Sequence, residues 1–242
     1  RLLDNLAISF IESDWDVKKL IRLIVTSRAY RQSSVSTEEL LALDPYNQLT
    51  ARQSRYRLPA EILRDNALAV SGLLVLYRPD MEPARLGGDS VKPYQPVDYY
   101  KHLNFPTRTY KQHNDARQWR RGVYVHWQRM FLHPMMKATD APSREECTAQ
   151  RPRSNTPNAA LVLLNDPTFV EAARAFAARV IQEGGETFDD RLDFAYRLCL
   201  SRSPDEEESQ LLGNLFTQTQ AEYNSNVEAA KEFVSLGQSQ YP

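Results

Sequence analysis

Thr156-Pro157-Asn158-Ala159-Ala160-Leu161-Val162-Leu163-Leu164-Asn165-Asp166-Pro167 contains two helix starts ten residues apart. Threonine and aspartate are favoured N-caps because a side-chain oxygen accepts a backbone N–H that the first turn leaves free. Proline is favoured directly after a cap, since its fixed φ suits a helix and its missing donor is not needed there. The apolar run between the two starts is therefore one short helix, and Asp166-Pro167 opens the next. Phe169, Ala173, Phe176, Ala177 and Val180 then recur at helical spacing as a core stripe that ends at Gly184-Gly185. Phe188 to Leu200 reads as another helix, and Ser203-Pro204 with Glu206 as the capped start of one more. Residues 156–242 are helices, and they decide for an all-α fold.

Residues 1–76 are helical as well. Leu3, Leu6, Ala7, Phe10 and Ile11 share one face. Asp16 is the expected cap of a helix reaching about Arg28, with Trp15 and Leu20 placed as a hydrophobic staple. Ser36 with Glu39 offers a capping box before a turn ended by Asp44-Pro45. A longer helix follows, from Ala51 or Leu58 to Val70, stopping near Ser71-Gly72.

Residues 77–155 break this regularity. Pro79, Pro83, Pro93, Pro96 and Pro106 interrupt them, with Gly87-Gly88 between. Tyr77, Tyr94, Tyr99, Tyr100, Phe105 and Tyr110 stud the stretch. A flexible linker is poor in aromatics, so an ordered loop packed on the helices is expected, and such loops often carry binding function. Arg120 to Phe131 is expected to be helical on the spacing of Val123, Trp127 and Phe131, although Val123-Tyr124-Val125 also suits a strand. The expected architecture is a single domain over 1–242, an irregular helical bundle with a long ordered central loop region.

Composition removes several function classes. The 242 residues carry 30 basic and 31 acidic side chains, a net charge of −1, so no general attraction to nucleic acid is expected. No stretch approaches the ~18 uninterrupted apolar residues of a membrane span. Two cysteines, Cys147 and Cys199, rule out a disulfide scaffold. Cys147 follows Glu145-Glu146, whose charge raises a thiol pKa, and Cys199 lies on an apolar helical run where an inert, buried thiol is expected. A disulfide in an oxidising compartment stays open for either. His102, His113, His126 and His133 lack the tight spacing of zinc ligands, so no metal site is expected. Phosphate-cradling glycine loops and a Gly-x-Ser-x-Gly nucleophile elbow are missing. No Cys-x-x-Cys-His is present to attach haem c to this chain.

The chemistry-bearing residues gather near the middle. Arg117, Arg120, Arg121 and Arg129 precede Asp140, Arg144, Glu145 and Glu146, followed by Arg151, Arg153 and Asn155. Guanidinium forks bind carboxylate, sulfate or phosphate, which makes Arg120, Arg121, Arg151, Arg153 and Asn155 candidate anion ligands ahead of a helix N-terminus. Asp140 and Glu145 are candidate acid–base carboxylates for a glycosidic bond, with aromatic rings nearby to stack on sugars. The competing reading is an internal salt-bridge network that fastens the loop to the helices, with Thr156-Pro157 as ordinary capping.

These residues also carry a resemblance. Asp16-Val17-Lys18-Lys19-Leu20 with Ile24 through Ser33, then Arg57-Leu58, Glu61, Arg64-Asp65 and Ser71-Gly72 form its first two blocks. Arg120-Arg121, Tyr124, Asp140-Ala141-Pro142, Cys147, Arg151 through Pro157 and Leu163 through Asp166 form the third, and Ser201-Arg202-Ser203-Pro204 with Glu207 the fourth. Together they resemble the planctomycete-specific C-terminal domain of unknown function found in cytochrome-c-linked exported bacterial proteins. Asn158-Ala159 departs from the Leu-Gln usual there. The resemblance implies a fragment truncated at both ends, periplasmic or otherwise exported, whose partners are other domains of its polypeptide. Haem c would sit in a separate domain, with no cofactor in this chain. The expected function is a helical accessory or interaction module, tied to polysaccharide metabolism and binding glycans. The alternative is a carbohydrate-active enzyme domain using Asp140 and Glu145 with the arginine cluster.

Overall fold

Side-chain caps set most of the element boundaries in the computed structural model, which describes residues 1–76, 90–100, 110–128 and 131–240. The chain divides into two compact units, Arg1–Arg57 and Leu58–Pro242. Tyr77, Pro79, Pro83, Gly87-Gly88, His102, Phe105, Pro106 and Arg129 lie outside the described residues.

The first unit holds α1 (Leu2–Glu12), α2 (Val17–Thr26) and α3 (Glu38–Leu43). Asp16 accepts the Lys19 N–H at 3.0 Å and starts α2 as expected. Asp14 and Trp15 take positive φ in the tight corner before it, and the Trp15 ring meets Phe10 edge-on at 5.3 Å. Thr37, rather than Ser36, caps α3 by accepting the Leu40 N–H. After α3 the buried Asp44 carboxylate accepts from the Gln48 and Leu49 N–H groups at 2.8 and 2.7 Å. These bonds satisfy backbone donors that a short loop otherwise leaves to water.

The second unit holds α4 (Ala60–Val70), α5 (Pro134–Ala138), α6 (Pro157–Asn165), α7 (Pro167–Glu183), α8 (Phe188–Leu200), α9 (Glu206–Ser225) and α10 (Val227–Val234). Thr156 and Asp166 cap α6 and α7 through Ala159 N–H and Thr168 N–H, as their prolines foretell. Thr187 forms a capping box with Asp190 at the start of α8. The box of α9 is Asp205 with Glu208, two residues beyond the expected Ser203–Glu206 pair. Glu208 also receives Arg202 in a two-pronged bond. The core joins α4, α5 and α7: Ala60, Met135, Met136 and Phe169 meet Val125 and Leu132 from the central excursion.

No β-strand occurs among the described residues, and the excursion is held by scattered bonds instead. It contains two 3-10 turns, Ala116–Trp119 and Gly122–Tyr124, and isolated bridges Val75–Arg120, Val91–Val125 and Gln128–Phe131. The helix expected from Arg120 onward is therefore a correction. Arg120, Arg121 and Val125 are extended, and the backbone groups here bond sideways: Val91 N–H to Tyr124 O at 2.7 Å, His126 N–H to Val91 O at 2.6 Å. Gly122 is required where it stands, because a Cβ there would lie 2.8 Å from the Glu61 carbonyl oxygen of α4. Aromatic edges complete the attachment, with Tyr100 against Tyr110 and Phe131 at 5.5 and 6.1 Å. These contacts belong to the described part of the excursion; Tyr77 and Phe105, on which the expectation of an ordered loop also rested, lie outside the described residues.

Candidate functional site

A cleft of about 1070 Å³ opens in the second unit. It lies just above the ~300–1,000 Å³ that small-molecule sites span. The segment with Tyr94, Gln95 and Tyr99 forms one wall, and α5 contributes Met135, Lys137 and Ala138. The first turns of α6 add Asn158, Leu161 and Val162, and Leu236, Gly237 and Gln238 close the rim as a C-terminal strap. Two carboxylates, Asp140 and Asp166, face into it from opposite sequence neighbourhoods.

Asp140 sits at φ +63°, a left-handed conformation that aspartate tolerates better than most L-residues. Its oxygens accept from Ser154 N–H at 2.6 Å and from Ser154 Oγ at 2.7 and 2.9 Å. Ser154 thus covers both oxygens of the Asp140 side chain. Asp166 differs. Burial pushes its carboxyl above the usual range, against the Thr168 N–H bond that lowers it. Read from sequence, Asp166 was a cap alone; its second face toward the cleft has no signature in the chain.

Glu145 lies in the exposed segment after Asp140, with its N–H on Ser143 Oγ, and is not among the residues lining the cleft. The arginines expected around a pocket go elsewhere. Arg121 pairs with Asp65 at 3.1 Å and Arg151 with Glu61 at 2.8 Å, both carboxylates of α4. Arg120 places its guanidinium over the Tyr124 ring at 4.6 Å. Arg153 and Asn155 are exposed ahead of α6. Arg117 grips Asp115 with two nitrogens and holds its carboxyl down at about 2. Arg144 lies 3.7 Å above Trp127, whose ring nitrogen donates to Ser143 O. The structure thus brings Asp140 to the cleft and sets Arg121 and Arg151 against α4.

Beneath the cleft runs a buried polar layer that the sequence did not announce. Glu171 of α7 accepts from Tyr94 Oη at 2.9 Å, Trp119 Nε1 at 3.2 Å, and the Gln238 and Ser239 N–H groups at 2.6 Å each. Burial and the neighbouring Glu171 push the Tyr94 phenol far up. Arg174, one turn on, donates to Val234 O and Ser239 O at 2.5 and 2.7 Å and ties down the strap. Gly237 at φ +94° completes the fit, since a Cβ would lie 2.5 Å from the Glu171 carboxyl carbon. Tyr94, Trp119 and the strap therefore meet on one glutamate.

His133, the residue before α5, is buried and bonds through Nε2 to Tyr94 O at 2.6 Å. Burial lowers its pKa from 6.5 to about 4. A lowered folded-state pKa means that the unfolded chain takes up the proton first as pH falls. Stability is then full above pH 6.5 and declines toward pH 4, by at most about 3 kcal/mol for a difference of this size. Asp166, whose carboxyl is raised, opposes the trend over its own range. Urea titrations at pH 7.0 and 4.5 are expected to show the loss, and His133→Gln to flatten it. An unchanged slope in the variant would remove His133 from the account.

Cys147 and Cys199 are both free and exposed. For Cys199 this corrects the expectation of a buried thiol: it edges a smaller apolar pocket with Leu63 and Phe176, and partial burial raises its pKa. Among the described residues no three histidine, cysteine, aspartate or glutamate side chains gather in metal-ligating geometry. No described helix is long and apolar enough to cross a membrane. A family model described as PSD1, a protein of unknown function (DUF1553), matches residues 1–216. No curated protein and no solved structure matches the chain.

Proposed function

We propose, on the premise that this chain belongs to the PSD1 family of proteins of unknown function (DUF1553), that it is a glycan-binding accessory module. In this reading it is exported and works beside other domains of a cytochrome-c-linked polypeptide that hold any haem. The observation that carries the reading is the make-up of the cleft. Tyr94 and Tyr99 lie on a wall shared with Gln95, while Gln112, Asn158, Asn165 and Gln238 bring further amides to the same space. Sugar rings offer apolar C–H faces that settle on aromatic rings, and hydroxyls that both donate and accept. Amides supply both functions in return, at little desolvation cost compared with charged groups.

Affinity electrophoresis of the full chain through gels containing soluble polysaccharides tests the reading. Retardation by at least one glycan, abolished by Asn158→Ala with Tyr99→Ala, is expected. Unretarded migration through every glycan would sink it.

A second reading has its own observation. Asp140 and Asp166 line one cleft in contrasting surroundings, one hydrogen-bonded and one desolvated. Contrasting environments are how two carboxyls divide acid and base roles in glycoside hydrolysis. Asp166 would deliver its proton to the leaving glycosidic oxygen while Asp140 takes one from the attacking water. The pair replaces the Asp140–Glu145 combination, because Glu145 stands outside the cleft. Asp166→Asn retains a capping oxygen but holds no transferable proton. A drop of about 100-fold or more in hydrolysis, at unchanged stability, is expected if the chain is catalytic. Wild-type chain that binds glycan without releasing reducing ends leaves the accessory reading alone.

A further inference from the structure

We infer that Gln95 is the specificity-determining residue of the cleft and selects uncharged glycans that present adjacent free hydroxyls. The inference rests on the glycan-binding reading above and names its substrate class. Gln95 lines the cleft, yet neither Nε2 nor Oε1 has a hydrogen-bond partner, although both atoms are buried. Gln238 on the facing strap is half used: Nε2 donates to His113 O at 3.1 Å and Asn114 Oδ1 at 3.0 Å, while Oε1 is buried and unpartnered. Buried polar groups are nearly always paired, so each exception calls for a cause. An amide held idle beside a cleft gains two hydrogen bonds when it turns toward a ligand that offers a donor and an acceptor together.

Adjacent sugar hydroxyls make that offer. Each carries a proton and lone pairs, so one can accept from Gln95 Nε2 while its neighbour donates to Gln95 Oε1. The free acceptor of Gln238 takes a further hydroxyl proton. A sulfate or carboxylate carries acceptors alone: it can meet Nε2 but sets oxygen against oxygen at both unpartnered carbonyls. Charge points the same way. Lys137 is the basic residue among those lining the cleft, against Asp140 and Asp166, and no arginine lines it among the described residues. Arg121 and Arg151, the guanidinium groups a sulfated glycan would want, are bound to Asp65 and Glu61.

Gln95→Met separates this role from a structural one. Methionine keeps the length and apolar stem but removes the idle amide. Calorimetric titration of the full chain with mannohexaose, cellohexaose and a heparin hexasaccharide reads binding, and thermal unfolding reads stability. Expected are binding of at least one neutral hexasaccharide, at least tenfold tighter than of heparin, and a tenfold or greater loss in Gln95→Met. The unfolding midpoint of the variant is expected to stay or rise, since it no longer buries an unpaired amide. Neutral-glycan affinity unchanged in Gln95→Met overturns the inference while leaving the glycan reading in place. So does tighter binding of heparin, or a variant that fails to fold, which would make the amide a structural group. Absence of glycan binding by the wild-type chain overturns both.

Discussion

Arg64→Met is expected to cost about 3–5 kcal/mol, enough to unfold the second unit at moderate urea. Arg64 sits in the middle of α4 with 0% of its surface exposed. Its Nη1 donates to Arg120 O at 2.6 Å and its Nη2 to Gln118 O. Both acceptors belong to the irregular excursion, 56 and 54 residues away in sequence. Gln118 in turn donates to Lys92 O at 3.2 Å and His113 O at 2.5 Å, so the arginine holds the hub of the loop rather than its edge. Replacing a buried ion pair by apolar groups is often neutral, because both charges disappear together. Here the partners are backbone carbonyls, which no side-chain change can delete. Methionine restores much of the volume and leaves two buried acceptors bare, each worth about 1–3 kcal/mol. Arg64→Lys is expected to fall between, since one ammonium reaches a carbonyl but lacks the fork for both. The check is urea unfolding followed by tryptophan fluorescence; an Arg64→Met midpoint equal to wild type would show that the excursion stands without its anchor.

The same residue marks where reading the chain stops. Helices α4 and α6 to α9 were legible because their signals are local, a cap, a proline after it, an apolar period or a glycine stop, whereas α5 fell in a stretch read as loop and α10 was not singled out. Thr156, Asp166 and the Phe188–Leu200 span illustrate this, and where the reading slipped, at Thr37 and Asp205, it slipped by one or two residues among neighbouring capping candidates. Arg64 has no such local signal. In a helix that reads Arg64-Asp65-Asn66 the polar run looks like a solvated face, and its burial follows from carbonyls placed by distant chain. The path of the excursion's described part was not legible, because isolated bridges and sideways bonds leave no period. Of the charged cluster, residue type foretold that arginines would meet carboxylates. Which ones meet depends on tertiary neighbours: Arg151 finds Glu61, 90 residues back, rather than the nearby Glu145 or Glu146. Of the candidate site residues read from the chain, Asp140 is the one that lines the cleft. Asp166 was hidden behind its capping role, and the strap at Leu236–Gln238 carries no motif at all.

Glu171→Gln and Glu171→Ala test that strap; the amide is expected to cost about 1–3 kcal/mol, one buried donor left bare, and the alanine more. The Glu171 side chain is isosteric with glutamine and 1% of the residue is exposed, so no cavity and no new clash enters the comparison. What changes is the count of acceptors. Four donors converge on the two carboxylate oxygens: Tyr94 Oη and Trp119 Nε1 on Oε2, Gln238 N–H and Ser239 N–H on Oε1. An amide keeps one oxygen and turns its other end into two donors, so one of these pairs must face N–H against N–H or N–H against O–H. Tyr94 can rotate its hydroxyl to accept; the backbone amides of the strap cannot change role. Glutamine is therefore expected to settle with its oxygen toward Gln238 and Ser239, and to lose Trp119. Glu171→Ala leaves all four donors bare and is expected to loosen the strap, which then keeps Arg174 on Val234 O and Ser239 O and the Gln238 side chain on His113 O and Asn114 Oδ1. Hydrogen exchange reads this directly: Gln238 and Ser239 amides slow in wild type, little faster in Glu171→Gln, and much faster in Glu171→Ala. Because Gly237 and Gln238 form the rim of the cleft, glycan retention should fall with strap protection across the two variants. Slow exchange at Gln238 and Ser239 in Glu171→Ala would mean that Arg174 and α10 hold the rim without the glutamate.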